Sequence, residues 1–189
     1  MSIDRKLQAE ISARAKKDQS LRKRQHKIWL KLNKNEQNKN SLHYKKTVAA
    51  LSRELKITDR ENTIVMKKII KKYGWPGKSL VGSKGAFKVW LLVQHADYDL
   101  NFQSKCLELL KKAVELGEAD KKNLAFLTDR VLVHQGKRQI YGTQFKSLKG
   151  KAGLNLKPFL IRDPRKLDQL RKSAGLEPFT TYEKLMRGS

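Results

Sequence analysis

His95 is the side chain in this sequence whose type and position best fit acid–base chemistry. It ends a strongly apolar stretch and, on a helix, shares a stripe with Lys84, Lys88 and Leu91. A helix dipole favours a protonated imidazole at its C-terminal end, so a general acid or base, or a ligand for an anion, fits this position. The alternative is a structural histidine that is hydrogen-bonded to a neighbouring carboxylate such as Asp97.

The pair Asp129-Arg130 is a second candidate, because it borders the apolar face of a predicted helix. In a catalytic site, Asp129 would orient His95, and Arg130 together with Gln139 and Tyr141 would hold an anionic or carbonyl-containing substrate. The alternative is a salt-bridge network with a structural role.

The segment after Gly136 offers a third set of polar groups. If this segment is extended, Gln139, Tyr141 and Thr143 point to the same side and form a hydrogen-bonding edge. Gly142 within this edge indicates a bulge, or a close approach of the backbone to a ligand.

Helices are predicted to position most of these groups. Capping residues, apolar helical periods and glycines recur in that order along the chain. The predicted fold is mainly α, a single compact domain of six to eight helices with a long N-terminal helix over residues 2–32. After Gly136 the pattern changes to short β-branched and aromatic runs, which favour at most one small β-hairpin near residues 138–161.

The predicted domain organisation follows from one polar break. An asparagine-rich stretch at residues 33–41 is the predicted linker. It belongs to a basic N-terminal helical region, residues 1–57, which precedes a helical core domain, residues 58–189. The core domain contains the motif stretch 74–145.

Two helix starts and one packing contact are also predicted. Thr58 and Glu61 have the spacing of a capping box, and Ser83 is suited to cap the apolar helix that leads to His95. The N-terminal helix is expected to pack on the motif stretch through apolar residues near its start, beginning with Leu7 and Ile11.

Charge is the feature of the composition with the clearest functional meaning. The chain has 43 Lys and Arg against 18 Asp and Glu, a formal net charge of +25, and the excess is densest near its two ends. Such a field attracts phosphate polyanions, nucleic acid first among them, or an anionic membrane surface. The alternative is that the lysines form a solvated surface with no partner.

The composition also argues against several classes of protein. The single cysteine, Cys106, excludes an intramolecular disulfide and a cysteine-rich zinc site. The four histidines lack metal-binding spacing and no cofactor motif is present, so neither a metal nor a cofactor is predicted. Without an apolar leader or a transmembrane segment, the protein is expected to be cytoplasmic, or exported by a route without an ordinary signal peptide.

Several short motifs, in one order, resemble a bacterial family catalogued as domain of unknown function 6624. The resemblance spans roughly residues 7–145 and rests on DQSLR, DRENT, GWPG, W-x-x-x-QHAD, LTDR and GKRQIYGTQF. It implies no particular activity or cofactor. It does imply that the polar residues of these motifs belong together: Asp18, Gln19, Arg22, Asp59, Asn62, His95, Asp129, Arg130, Gln139, Tyr141 and Gln144.

The functional hypothesis is a basic protein with one polar pocket that binds an anionic ligand, nucleic acid or another phosphate polyanion. One alternative is an enzyme of unknown reaction that uses His95 as a general acid or base. A second alternative is a structural or protein-interaction domain. The candidate catalytic residues are His95 and Asp129, and the candidate ligand-binding residues are Asp18, Gln19, Arg22, Arg130, Gln139, Tyr141 and Gln144.

Overall fold

The protein is mainly α, as the sequence predicts. A computed structural model describes residues 2–33, 41–147 and 156–187. No helix in this described part of the chain has the length and apolar character needed to cross a membrane. The helices are α1 (Arg5–Asn33), α2 (Leu42–Tyr73), α3 (Lys78–Gln94), α4 (Leu100–Glu115), α5 (Lys121–His134), α6 (Leu167–Ser173) and α7 (Phe179–Arg187), and the strands are β1 (Phe145–Ser147) and β2 (Leu156–Pro158).

The chain divides into two units, Met1–Tyr98 and Asp99–Ser189. The predicted boundary at residue 57 falls inside α2, which continues because Leu42–Tyr73 contains no glycine or proline to end it. Thr58 is buried in the middle of this helix, so the prediction that it caps a new helix is wrong. Most of the predicted linker lies outside the described residues.

The first unit consists of α1, α2 and α3, each of which packs on the other two. Helix α1 buries one stripe of side chains at helical spacing, including Leu7, Ile11 and Ala15. Near its start, the backbone N–H of Asp4 donates to the carbonyl of Leu80 over 2.9 Å. These contacts confirm that the N-terminal helix packs on the motif stretch.

Helix α3 begins earlier than predicted, at Lys78 rather than after Ser83. Its first turn is separated from the rest by Gly82, whose φ of 72° and ψ of 163° interrupt the helix. A side chain at Gly82 would have its Cβ 3.0 Å from Nε2 of Gln8. The left-handed backbone and the close approach of α1 both favour glycine at this position.

The second unit contains α4 to α7 and the small hairpin. Asp99 caps α4 by accepting a hydrogen bond from the N–H of Phe102 over 3.0 Å, as its position predicts. The hairpin lies in the predicted region, but its strands have three residues each and its connection, residues 148–155, is outside the described residues. Its antiparallel partners are Phe145 with Pro158, Lys146 with Lys157 and Ser147 with Leu156.

Candidate functional site

A histidine and a buried carboxylate form the centre of the candidate site in the first unit. His95 follows the last residue of α3, and its Nδ1 lies 3.1 Å from each carboxylate oxygen of Asp18 on α1. Asp18 is fully buried, because it occupies the same stripe of α1 as the apolar residues Ile11 and Leu21. His95 keeps 11% of its side-chain surface exposed.

The contact with Asp18 determines which ring nitrogen of His95 is available. A carboxylate beside Nδ1 favours the neutral tautomer that carries its proton there, which leaves Nε2 as the basic nitrogen. Nε2 makes no hydrogen bond within the described ranges. Asp18 is therefore the residue of the first unit that orients His95. The orienting role predicted for Asp129, which lies in the second unit, stays a prediction.

Arg22 and Gln19 complete the hydrogen bonding of Asp18. Nε of Arg22 donates to Oδ1 over 3.0 Å, and the Gln19 amide donates to Oδ2 over 2.8 Å. The Nη2 group of Arg22 also donates to Asp59 of α2 over 2.6 Å, so one guanidinium links two carboxylates. All three helices of the unit thus contribute to the cluster of Asp18, Arg22, Asp59 and His95, called the dyad cluster below.

The pKa values of the two carboxylates of the dyad cluster are shifted in opposite directions. Burial favours the neutral form of Asp18, but the hydrogen bond and charge of His95, followed by Gln19 and Arg22, hold the pKa of Asp18 below its ordinary value. Burial raises the pKa of Asp59, and the charge and hydrogen bond of Arg22 do not fully compensate. Asp18 is consequently the fully ionised partner of His95.

The lowered pKa of Asp18 predicts a pH dependence of stability. An aspartate titrates near 3.9 in an unfolded chain, so Asp18 contributes its stability above that pH and loses it as the pH falls further. Near pH 5, Asp18→Asn is expected to lower the free energy of unfolding, and this difference should shrink as the pH falls below about pH 4. Urea unfolding at a series of pH values measures it, and a difference that stays constant throughout would contradict the assignment.

The dyad cluster also has ligand types that metals use. Asp18, Asp59 and His95 offer three ligand atoms that lie within 4.8 Å of one another. Arg22 already donates to both carboxylates, so a cation at this place would have to displace its guanidinium. The absence of a metal stays a prediction.

Buried polar atoms on α2 lie next to the dyad cluster in sequence. Thr58 and Asn62 lie one turn apart on the buried face of α2. In the sequence, Thr58 precedes Asp59 and Asn62 follows it. Among the described residues, neither Oγ1 of Thr58 nor Nδ2 of Asn62 has a hydrogen-bond partner. A buried polar atom without a partner costs stability, so its presence in a folded protein needs a physical reason.

Asp129 has a different role, in the second unit. It is fully buried, and its two oxygens accept hydrogen bonds from the backbone N–H groups of Ile140, Tyr141 and Thr143 and from the Thr143 hydroxyl, over 2.7 to 3.1 Å. Burial raises the pKa of Asp129, while these four donors favour its ionised form. The carboxylate holds the segment after Gly136 in place on α5.

The other candidate residues of the second unit support the same segment. The Gln139 amide donates to the carbonyls of Gln144 and Phe159 over 3.1 and 2.9 Å, and its oxygen accepts from the N–H of Gln144 over 2.9 Å. Nη1 of Arg130 donates to the side chain of Gln144 over 3.3 Å. Each of these contacts joins the segment to its own neighbours, and the ligand-binding role predicted for these residues stays a prediction.

Gly142 provides a close approach, as predicted, but the neighbour is an aromatic ring of the chain itself. Its φ is 68°, and an added Cβ would lie 2.8 Å from a ring carbon of Phe179. Gly142→Ala is expected to lower the free energy of unfolding by about 2–4 kcal/mol, from backbone strain and overpacking together.

Gly136→Ala is the matched control for this prediction. Gly136 has a φ of 71° and no atom within 4 Å of the added Cβ, so only the strain of about 1–2 kcal/mol is expected. Chemical unfolding of both variants measures the difference. Equal losses would show that Phe179 does not constrain Gly142.

Arg171 is a buried residue that the sequence analysis missed. It is 1% exposed on α6, and it donates to the carbonyls of Glu177 over 2.7 Å and Tyr141 over 2.6 Å. Its guanidinium lies 5.0 Å from the ring centre of Tyr182. Its spacing from Leu167, Leu170 and Ala174 places it within an apolar stripe of α6. This spacing is the feature of the sequence from which its burial could have been predicted.

The predicted site residues therefore fall into two groups, and each group lies within one unit. The first unit brings together Asp18, Gln19, Arg22 and His95 and adds Asp59, while the second brings together Asp129, Arg130, Gln139, Tyr141 and Gln144. That they line one common pocket stays a prediction.

Comparison with known proteins identifies a family without assigning a reaction. Neither the curated proteins nor the solved structures contain a match to this chain. A family match covers residues 5–189, which includes every motif discussed above, the whole second unit and all but the first four residues of the first unit. The chain belongs to the family described as "Family of unknown function (DUF6624)".

Proposed function

We propose that the protein is an enzyme in which His95 is the general acid and base. The observation that carries the proposal is the pairing of Nδ1 with the buried, ionised Asp18, which leaves Nε2 of the partly exposed His95 as the basic nitrogen. Nε2 accepts a proton from water or from a substrate hydroxyl and returns it to the leaving group. The same arrangement, a carboxylate behind a histidine, activates nucleophiles in unrelated folds.

An anionic substrate fits the surroundings of this pair. Arg22 uses Nε and Nη2 for the two carboxylates, and it also lines a cleft of about 260 Å³ between α1 and α2 that includes Gln25 and Tyr44. Arg22 is the member of the dyad cluster that lines this cleft, and His95 does not line it. A partly exposed guanidinium at such a cleft is suited to a phosphate or carboxylate group. A thiolate nucleophile is not expected from Cys106, because burial raises the pKa of its thiol to about 12.

The experiment is a turnover screen with chromogenic phosphate monoesters, phosphate diesters and carboxylic esters. For each substrate that the wild-type protein converts, His95→Ala is expected to lower the rate by about 10²- to 10⁴-fold. His43→Ala is the matched control, because His43 is an exposed histidine of the same unit outside the dyad cluster. A rate that survives in His95→Ala, or that falls equally in His43→Ala, would contradict the proposal.

A further inference from the structure

A long basic groove runs between α1 and α3 in the first unit. It has a volume of about 950 Å³, and its lining residues all belong to these two helices. On α1 they extend from Ser12 to Lys27, a length of roughly 22 Å at 1.5 Å per residue. The groove is therefore longer than a site for one small metabolite needs to be.

The charges of this groove have one sign. Five basic side chains line it and no acidic one does: Lys16, Lys23, Arg24, Lys27 and Lys88. Arg24 has a distant, exposed partner in Glu54 at 4.0 Å, and Lys88 donates to the Ser12 hydroxyl over 2.9 Å. In the part of the chain that the structure describes, Lys16, Lys23 and Lys27 form no ion pair. Cations left without carboxylates along a concave surface attract a chain of phosphates.

An aromatic ring lies among these cations. Phe87 of α3 lines the groove, and 46% of its surface is exposed. Behind it, the ring centre of the buried Trp90 is 5.3 Å away, at an angle of 44° between the rings. A supported, exposed ring beside cations is the arrangement on which an unpaired base stacks.

We propose that this groove binds single-stranded nucleic acid, with the lysines on the phosphates and Phe87 on a base. A length of roughly 22 Å fits about four nucleotides, the lower limit for single-strand sites. Duplex is disfavoured, since its bases are already stacked and cannot reach the ring. His95 does not line the groove, so this binding does not depend on the reaction proposed for His95.

The test measures the fluorescence anisotropy of a labelled oligothymidine of about 12 nucleotides over a range of salt concentrations. The double variant Lys23→Ala/Lys27→Ala is expected to lower the affinity about 10- to 30-fold near 0.1 M salt, and to reduce the slope of log K against log salt by about 1.4. Phe87→Ala is expected to lower the affinity about 5- to 100-fold, because the substitution removes the ring on which one base stacks.

The matched control removes two positive charges elsewhere. Lys105 and Lys112 are exposed residues of α4 in the other unit, and Lys105→Ala/Lys112→Ala is expected to change the affinity less than about two-fold. His95→Ala should bind like wild type, which separates this test from that of the proposed reaction. Equal losses in the two double variants, tighter binding of duplex, or no binding near about 50 mM salt would overturn the proposal.

Discussion

Asp18→Asn is expected to lower turnover by about 10²- to 10⁴-fold, close to the effect of removing His95 itself. Three donors converge on the two oxygens of Asp18, from His95, Gln19 and Arg22. An asparagine has one acceptor, so its amide N–H must face one of these donors. If it faces Nδ1, the imidazole proton moves to Nε2 and the basic nitrogen is lost.

A structural effect of the same substitution must be separated from this catalytic one. Asp18→Asn also removes one of the two charges that Arg22 pairs with, and the melting temperature is expected to fall for that reason. Arg22 is partly exposed and keeps its ion pair with Asp59, which limits the fall. The rate should therefore be measured well below the melting temperature and compared with Gln19→Ala, which removes a donor to the same carboxylate but leaves its charge. A normal rate in a folded Asp18→Asn protein would contradict the role of Asp18.

Asp129→Ala is expected to lower the free energy of unfolding of the second unit by about 3–5 kcal/mol. The substitution leaves four donors of Ile140, Tyr141 and Thr143 without their acceptor, around the fully buried position of the Asp129 carboxylate. Each unpaired buried donor costs about 1–3 kcal/mol, and the total is smaller than the sum because the segment can relax.

Hydrogen exchange locates this effect. The backbone amides of Ile140, Tyr141 and Thr143 are expected to be protected in the wild type and to exchange rapidly in Asp129→Ala. Asp163→Ala is the control, because Asp163 is a partly exposed cap that accepts from the N–H of Arg165, and its loss should cost only about 1 kcal/mol. Retained protection in Asp129→Ala would refute the anchoring role.

Local features of the fold could be predicted from the sequence because they depend on neighbouring residues. Gly74 ends α2 with a φ of 68°, and Asp99 begins α4 with a side-chain cap. The start of a helix at Thr58 was wrongly predicted for the same reason. Its capping-box spacing is a local signal, but the helix-forming residues on both sides allow α2 to continue through it.

The partners within the site could not be predicted in this way. Asp18 and His95 are 77 residues apart, and their contact depends on how α1 packs against α3. The sequence does indicate that Asp18 has a partner. Asp18 interrupts the apolar stripe of α1, and a charge that is buried with such a stripe must be paired. Asp129 likewise places a charge on the buried side of α5. Its backbone partners could not be predicted, because every residue except proline has an N–H group and the sequence does not show which of them donate to Asp129.

The tautomer of His95 tests the central claim most directly, since it needs no substrate. Long-range ¹H–¹⁵N NMR correlation of the imidazole, at a pH where the ring is neutral, shows which nitrogen carries the proton. The structure predicts a proton on Nδ1 of His95, facing Asp18, and an unprotonated Nε2, with this preference lost in Asp18→Asn. A wild-type ring protonated at Nε2, or one that is the same in Asp18→Asn, would contradict the acid–base role of this pair.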